Sequence, residues 1–122
     1  MFQKVLLAWE DAHPPERALA VATELARVYG AKLTIAALGP APTHSKRPPE
    51  PLGVETAWTT IAERHPVAGM LALAHEHAFD LIVVGHHAPE RIHRVFTHDM
   101  ARDVATGSVV PVLVVAEGEA VQ

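Results

Sequence analysis

Between Asp80 and Val115 the chain runs through Leu81-Ile82-Val83-Val84, reaches Gly85, passes His86-His87-Ala88-Pro89 and a helical pattern, and returns as Pro111-Val112-Leu113-Val114-Val115. Two aliphatic runs without polar alternation, with a helix between them, describe a right-handed β-α-β crossover whose parallel strands are buried on both faces. This unit constrains the rest of the molecule, because a parallel sheet needs helices on its faces. A strand that breaks at glycine, followed by a loop and a helix start, is where α/β proteins commonly receive phosphates. Function is therefore sought around Gly85.

The other segments extend the same pattern. Val5 to Trp9 is an apolar run with turn chemistry behind it and reads as a first buried strand ending near Glu10. From Pro15 to Tyr29, Ala18, Ala22, Leu25, Ala26 and Tyr29 form one stripe at helical spacing, with proline at the start and Gly30 as the stop. Leu33 to Leu38 supplies a second strand that closes at Gly39-Pro40. Residues 40–53 carry Pro40, Pro42, Pro48, Pro49 and Pro51 among polar side chains, a composition that cannot sustain a helix and predicts a loop. Val54 to Thr60, with β-branched residues and Trp58, predicts a third, edge-like strand.

Pro66 opens a second helix with an apolar stripe of Val67, Met70, Leu71, Ala74 and Ala78, leaving His75, Glu76 and His77 toward solvent. Asp99 is placed to cap a third helix carrying Met100, Ala101, Val104 and Ala105, which stops around Gly107-Ser108. The last strand is Pro111 to Val115, and residues 117–122 read as a frayed tail. The alternation predicts one three-layer, doubly wound parallel α/β domain over residues 1–122, with no repeat and no second domain.

Composition narrows the function. A net charge of −4 without a lysine-rich block argues against a protein that works by neutralising nucleic-acid phosphates. The absence of cysteine removes disulfides, thiolate catalysis and thiolate zinc sites. No apolar run approaches membrane-spanning length, so the expectation is a cytoplasmic protein without a membrane or nucleic-acid partner. If the strand order reverses between the first and fourth strands, a ligand crevice lies outside their carboxyl ends. Ala8, Trp9 and Glu10 would line one side, Val84, Gly85, His87 and Ala88 the other, with Ala37 at the neighbouring strand end.

Over nearly its whole length the chain resembles the universal stress protein family. Lys4-Val5-Leu6-Leu7 with a following acidic residue is similar to the family's opening strand, Phe79-Asp80-Leu81-Ile82-Val83-Val84-Gly85 to its fourth, and Pro111 to Val115 to its last. The resemblance implies a Rossmann-like sheet of order 3-2-1-4-5 and a homodimer joined through the final strands, here Val112, Leu113, Val114 and Val115. It also implies ATP or AMP as the candidate cofactor, because ATP-binding members carry Gly-x-x-Gly, nine residues, then Gly-Ser or Gly-Thr.

Laid on this chain without a gap, that motif falls on Gly85, Ala88 and the pair His98-Asp99. The family's aspartate at the end of the first strand falls on Glu10, one methylene longer, beside bulky Trp9. Where glycine lets backbone approach a phosphate or adopt positive φ, Ala88 and His98 deny that freedom or impose a strain of order 1 kcal/mol. Asp99, as a helix N-cap, consumes an amide donor and sets a negative charge where a phosphate would lie. The expectation is a site that does not take ATP in the family's usual mode.

The segment also holds His86, His87, His93 and His98 with Arg91 and Arg94. Three readings stand: a side-chain anion site in which these arginines and imidazoles replace backbone amides, a transition-metal site, or a solvated loop that tolerates histidine. No zinc-type spacing occurs, and His75 and His77, two apart on a helix, share no face. Trp9 could stack on a base, but a tryptophan at a strand end is more often a core plug or an interface residue. No nucleophile-elbow pattern surrounds Ser45 or Ser108, so no enzyme activity is assigned. The expectation is a homodimeric regulatory or stress-response module with a protein partner, and the alternative is a nucleotide-binding protein, or a slow ATPase, using an altered site between the first and fourth strands.

Overall fold

The computed structural model describes residues 2–10, 13–38, 53–61, 65–87 and 100–117. Strands β1 (Lys4–Trp9), β2 (Lys32–Leu38), β3 (Thr56–Ile61), β4 (Leu81–His87) and β5 (Val112–Glu117) alternate with helices α1 (Glu16–Tyr29), α2 (Pro66–Glu76) and α3 (Met100–Gly107). All the pairings are parallel, in the order β3-β2-β1-β4-β5. The predicted order and the edge position of the third strand are both present.

Strand alternation sorts the core into two layers. Val5, Leu7, Trp9, Leu33, Ile35, Leu81, Val83 and Val115 face α1, which meets them with Ala18, Ala22 and Ala26. Leu6, Ala8, Ala36, Ile61, Ile82 and Val84 face the opposite layer, with Met70 and Ala74 of α2 and Ala101 and Val104 of α3. The alanine stripe on α1 lets its axis lie close to the sheet. Gly30 ends that helix in the left-handed region, φ 65°, and its amide donates to the Ala26 carbonyl. Tyr29, expected on the buried stripe, is instead exposed and packs edge-on against Phe2, because it sits on the last turn beyond the sheet.

Four expectations are corrected. β4 does not break at Gly85: its register with β5 continues through Gly85↔Val115 and His86↔Ala116 to His87↔Glu117, since β5 is long enough to keep the ladder paired. Glu117 is therefore not tail but the last residue of β5, and it is buried. β5 is not buried on both faces, because it lies at the sheet edge with Leu113 and Val114 partly exposed. Ala78 is not on the α2 stripe: the helix ends at Glu76, and Ala78 takes φ 56° in the turn that leads to Phe79.

At the floor of the sheet, Asp80 joins the starts of the two central strands. Its Oδ2 accepts from the Gln3 amide at 2.9 Å and its Oδ1 from the Lys4 amide at 3.1 Å. Lys4 Nζ in turn donates to the His77 carbonyl and lies 4.8 Å from the centre of the Phe79 ring. Register between β1 and β4 is thereby pinned at one end, which leaves the other end as the place where they separate.

Candidate functional site

The β1–β4 register contains Val5↔Leu81, Leu6↔Ile82 and Leu7↔Val83, and goes no further. Past that point β1 stays with β2 as far as Trp9↔Ala37, while β4 stays with β5 as far as His87↔Glu117. The two central strands thus part company at their carboxyl ends, where the chain order reverses. This is the crevice that a doubly wound sheet offers to ligands.

Several predicted site residues border it. Ala8 and Val84 are buried on the α2/α3 side, and their small or branched apolar side chains offer shape but no polar recognition. Trp9, 5% exposed, is in the core beneath α1, so of its three readings the structure gives the core plug. Ala37 is buried beside it on β2. Glu10, half-buried one residue past β1, and half-buried His86 on β4 supply the polar groups at the two lips. The main chain of His87 ends β4, whereas Ala88, Arg91, Arg94, His98 and Asp99 lie outside the described residues, as does His93.

Gly85 has a different setting from that of a phosphate-cradling glycine. A Cβ at Gly85 would stand 2.7 Å from Pro15 Cβ, 3.0 Å from Glu117 Cγ and 3.2 Å from Glu117 Oε2. Glycine is required here because the start of α1 and a side chain of β5 press onto β4. The space above it on that face is filled by the protein itself.

Glu117 is the functional-side residue that sequence reasoning missed. It is 7% exposed, and its two carboxylate oxygens accept from the first turn of α1: Oε1 from the Arg17 amide at 2.9 Å, Oε2 from the Ala18 amide at 2.7 Å. Those amides have no partner within the helix, and Pro15 at the N-cap makes no side-chain bond to them. The signal was present as parity, since Leu113, Val115 and Glu117 alternate onto one face of β5. Reading it required knowing that α1 begins above that strand end.

Among the described residues no three His, Asp or Glu side chains gather as a metal set. A cleft of about 320 Å³ lies between the end of α2 and the turn before β5, lined by Leu71, His75 and Val110 among others. It sits at the amino ends of the strands, opposite the strand divergence, so it does not mark the crevice. No described helix is long and apolar enough to cross a membrane.

The model of the universal stress protein family matches residues 46–116. Among solved structures, a universal stress protein in complex with cAMP superposes with a TM-score of 0.73 at 21% identity, over 96% of this chain and 98% of that one. A universal stress protein from Archaeoglobus fulgidus in complex with dAMP gives a TM-score of 0.66 at 18% identity, covering 93% and 97% of the two chains. UspA from Lactobacillus plantarum gives 0.65 at 17%, again over 93% and 97%. At these identities the structural likeness establishes the fold. No curated protein matches the sequence.

Proposed function

We propose, from the premise that this chain belongs to the universal stress protein family, that it acts as a homodimeric stress-response module, non-catalytic, with a crevice that does not hold ATP in the family's usual mode. The observation that carries the reading is the contrast between the sheet's two edges. β3 carries Thr56, Thr59 and Thr60 with half-buried Ala57 and Trp58, whereas β5 presents Leu113, 36% exposed, and Val114, 43% exposed, one on each face of an edge that no other described strand pairs. An aliphatic edge with free main-chain donors and acceptors calls for a partner strand, and a second copy of itself meets that need with two-fold symmetry. The departures from the phosphate-binding motif at Ala88, His98 and Asp99 support the second half of the reading.

Light scattering tests the assembly. Wild-type protein is expected at twice the chain mass, and Val114→Lys, which puts a charge on the edge without removing a hydrogen-bond donor, at the monomer mass. Leu113→Pro removes the donor as well and should give a monomer or an aggregate. A dimer mass unchanged in both variants rules out assembly through β5.

A second reading is favoured by one observation, the divergence of β1 and β4 beside Glu10, taken with neighbours that hold cAMP and dAMP. In it the crevice takes a nucleoside monophosphate, with Glu10 reaching a ribose hydroxyl and Arg91 and Arg94 reaching the phosphate. Calorimetry with AMP and ATP on metal-free protein decides: saturable binding lost in an Arg91→Ala, Arg94→Ala double variant supports it. Absence of heat for either nucleotide leaves the dimeric module without a nucleotide ligand.

A further inference from the structure

We propose that the cleft at the amino ends of the strands is a docking site for a second copy of this chain, taking up the residues that follow Glu117 on the partner's strand. The inference rests on the pairing of two β5 edges proposed above, and it names what that pairing brings together beyond the strands. Val109, 86% exposed, Leu113 and Val114 put three exposed large apolar side chains between positions 109 and 114. Val109, the most exposed of them, is not on the strand. It lies in the turn before β5 and lines the cleft of about 320 Å³ together with Leu71, His75 and Val110. The apolar surface therefore continues from the strand edge into a cavity.

Main-chain direction decides what reaches that cavity. The Ile82 amide donates to the Pro111 carbonyl at 2.9 Å, so Pro111 and, by strand alternation, Leu113, Val115 and Glu117 turn their main-chain groups toward β4. Val112, Val114 and Ala116 turn theirs outward. Two identical edges related by a two-fold axis pair antiparallel, because the offset bonds of a parallel ladder cannot be exchanged between identical residues. With Val114 opposite its own copy all three outward residues are matched, Val112 against the partner's Ala116. Continuing along the strand, the partner's Gly118 stands beside Val110 and the partner's Ala120 beside Ser108.

Residues 118–122, which lie outside the described residues, carry Ala120 and Val121 as apolar side chains for an apolar cleft. A copy cannot readily fill its own cleft with them. They start at the carboxyl end of β5, a strand about 20 Å long with the cleft beyond its start, whereas five extended residues span about 16 Å. The antiparallel partner delivers the same segment directly.

Because the chain has no cysteine, a nitroxide on Val121→Cys is a single label. Labelled protein refolded from urea together with nitrogen-15 wild type reports only contacts between copies. Expected are a dimer mass by light scattering and a loss of Val109 and Val110 amide intensity that ascorbate reverses. A dimer mass with both resonances untouched overturns the proposal and leaves the β5 pairing to be judged by its own variants, whereas a monomer mass overturns both.

The energetic counterpart is Val109→Asp, a change at an exposed position that the fold should tolerate. Sedimentation across a dilution series should show the dimer dissociation constant raised about 10-fold. Deleting residues 118–122 should raise it as much, and both changes together little more than either, since they remove one contact. Additive losses, or a constant that neither change moves, overturn the proposal.

Discussion

Asp80 and Glu117 do the same chemistry at opposite ends of the strands of one sheet. Each carboxylate takes two main-chain amides from a distant part of the chain, Asp80 those of Gln3 and Lys4, Glu117 those of Arg17 and Ala18. Their surroundings differ. Asp80 is half-buried at the floor, where water can replace it, and it fixes the register of β1 against β4. Glu117 is buried at the crest, beside a glycine whose missing side chain leaves room for both Pro15 and Glu117, where β1 and β4 have already separated. A carboxylate at the floor fixes the register of two strands, and the same group at the crest ties the start of a helix to the end of a strand.

Breaking the buried member should cost most. Glu117→Ala removes two charge-assisted bonds and strands the Arg17 and Ala18 donors, so unfolding by urea should show a loss of about 3 kcal/mol. A loss below about 1 kcal/mol would mean that water satisfies those amides and that the crest carboxylate resembles the floor one after all.

Gly85→Ala attacks the same contact from the other side and should cost about 2 kcal/mol, as overpacking does where neighbours are fixed. Its methyl meets Pro15 as well as Glu117, so the cost should fall but not vanish in the Glu117→Ala background. Strict additivity of the two changes in a double-variant cycle would show that Gly85 is set by Pro15 alone.

These two positions also show where the sequence is legible. Aliphatic runs, helix stripes, Pro66 and Gly30 place every described element, because periodicity and chain punctuation are local. The resemblance supplied the strand order, which the pattern alone leaves open. Gly85 was seen and misread: glycine after an aliphatic run suggests a break and a phosphate, and only the packing of Pro15 and Glu117 against it explains it otherwise. Glu117 reads as tail in the sequence, because an acid next to Gly118 and Glu119 looks like a chain end. Its role depends on a contact between residues a hundred positions apart, and nothing local encodes that. Of the candidate crevice, Ala8, Trp9, Glu10, Ala37, Val84 and Gly85 lie at or near the carboxyl ends of β1, β2 and β4, Trp9 as a core residue and Gly85 packed under α1, whereas the basic and histidine-bearing candidates from Ala88 to Asp99 fall outside the described residues.

The floor carboxylate sharpens the comparison at smaller magnitude. Asp80→Asn keeps one acceptor and loses the charge, and with solvent at hand it should cost about 1 kcal/mol. It should leave the amide resonances of Arg17 and Ala18 where they are in the wild type, because the change lies at the other end of the strands. A shift of those resonances in Asp80→Asn would mean that loosening the β1–β4 register reaches the crest, and that the two ends are coupled.

The smallest effect is expected from a third carboxylate, Glu24, which meets Arg27 at 2.6 Å one helical turn along α1. The distance is shorter than at either amide-gripping site, yet the two side chains are 65% and 48% exposed. Water competes for both ions, salt screens them, and ordering two long side chains offsets the attraction. Arg27→Ala should therefore shift unfolding by less than about 0.5 kcal/mol, and that shift should shrink further at high salt. Equal costs for Arg27→Ala and Glu117→Ala would make proximity the deciding variable. The expected several-fold disparity instead assigns the strength of Glu117 to burial and to donors that have no other partner.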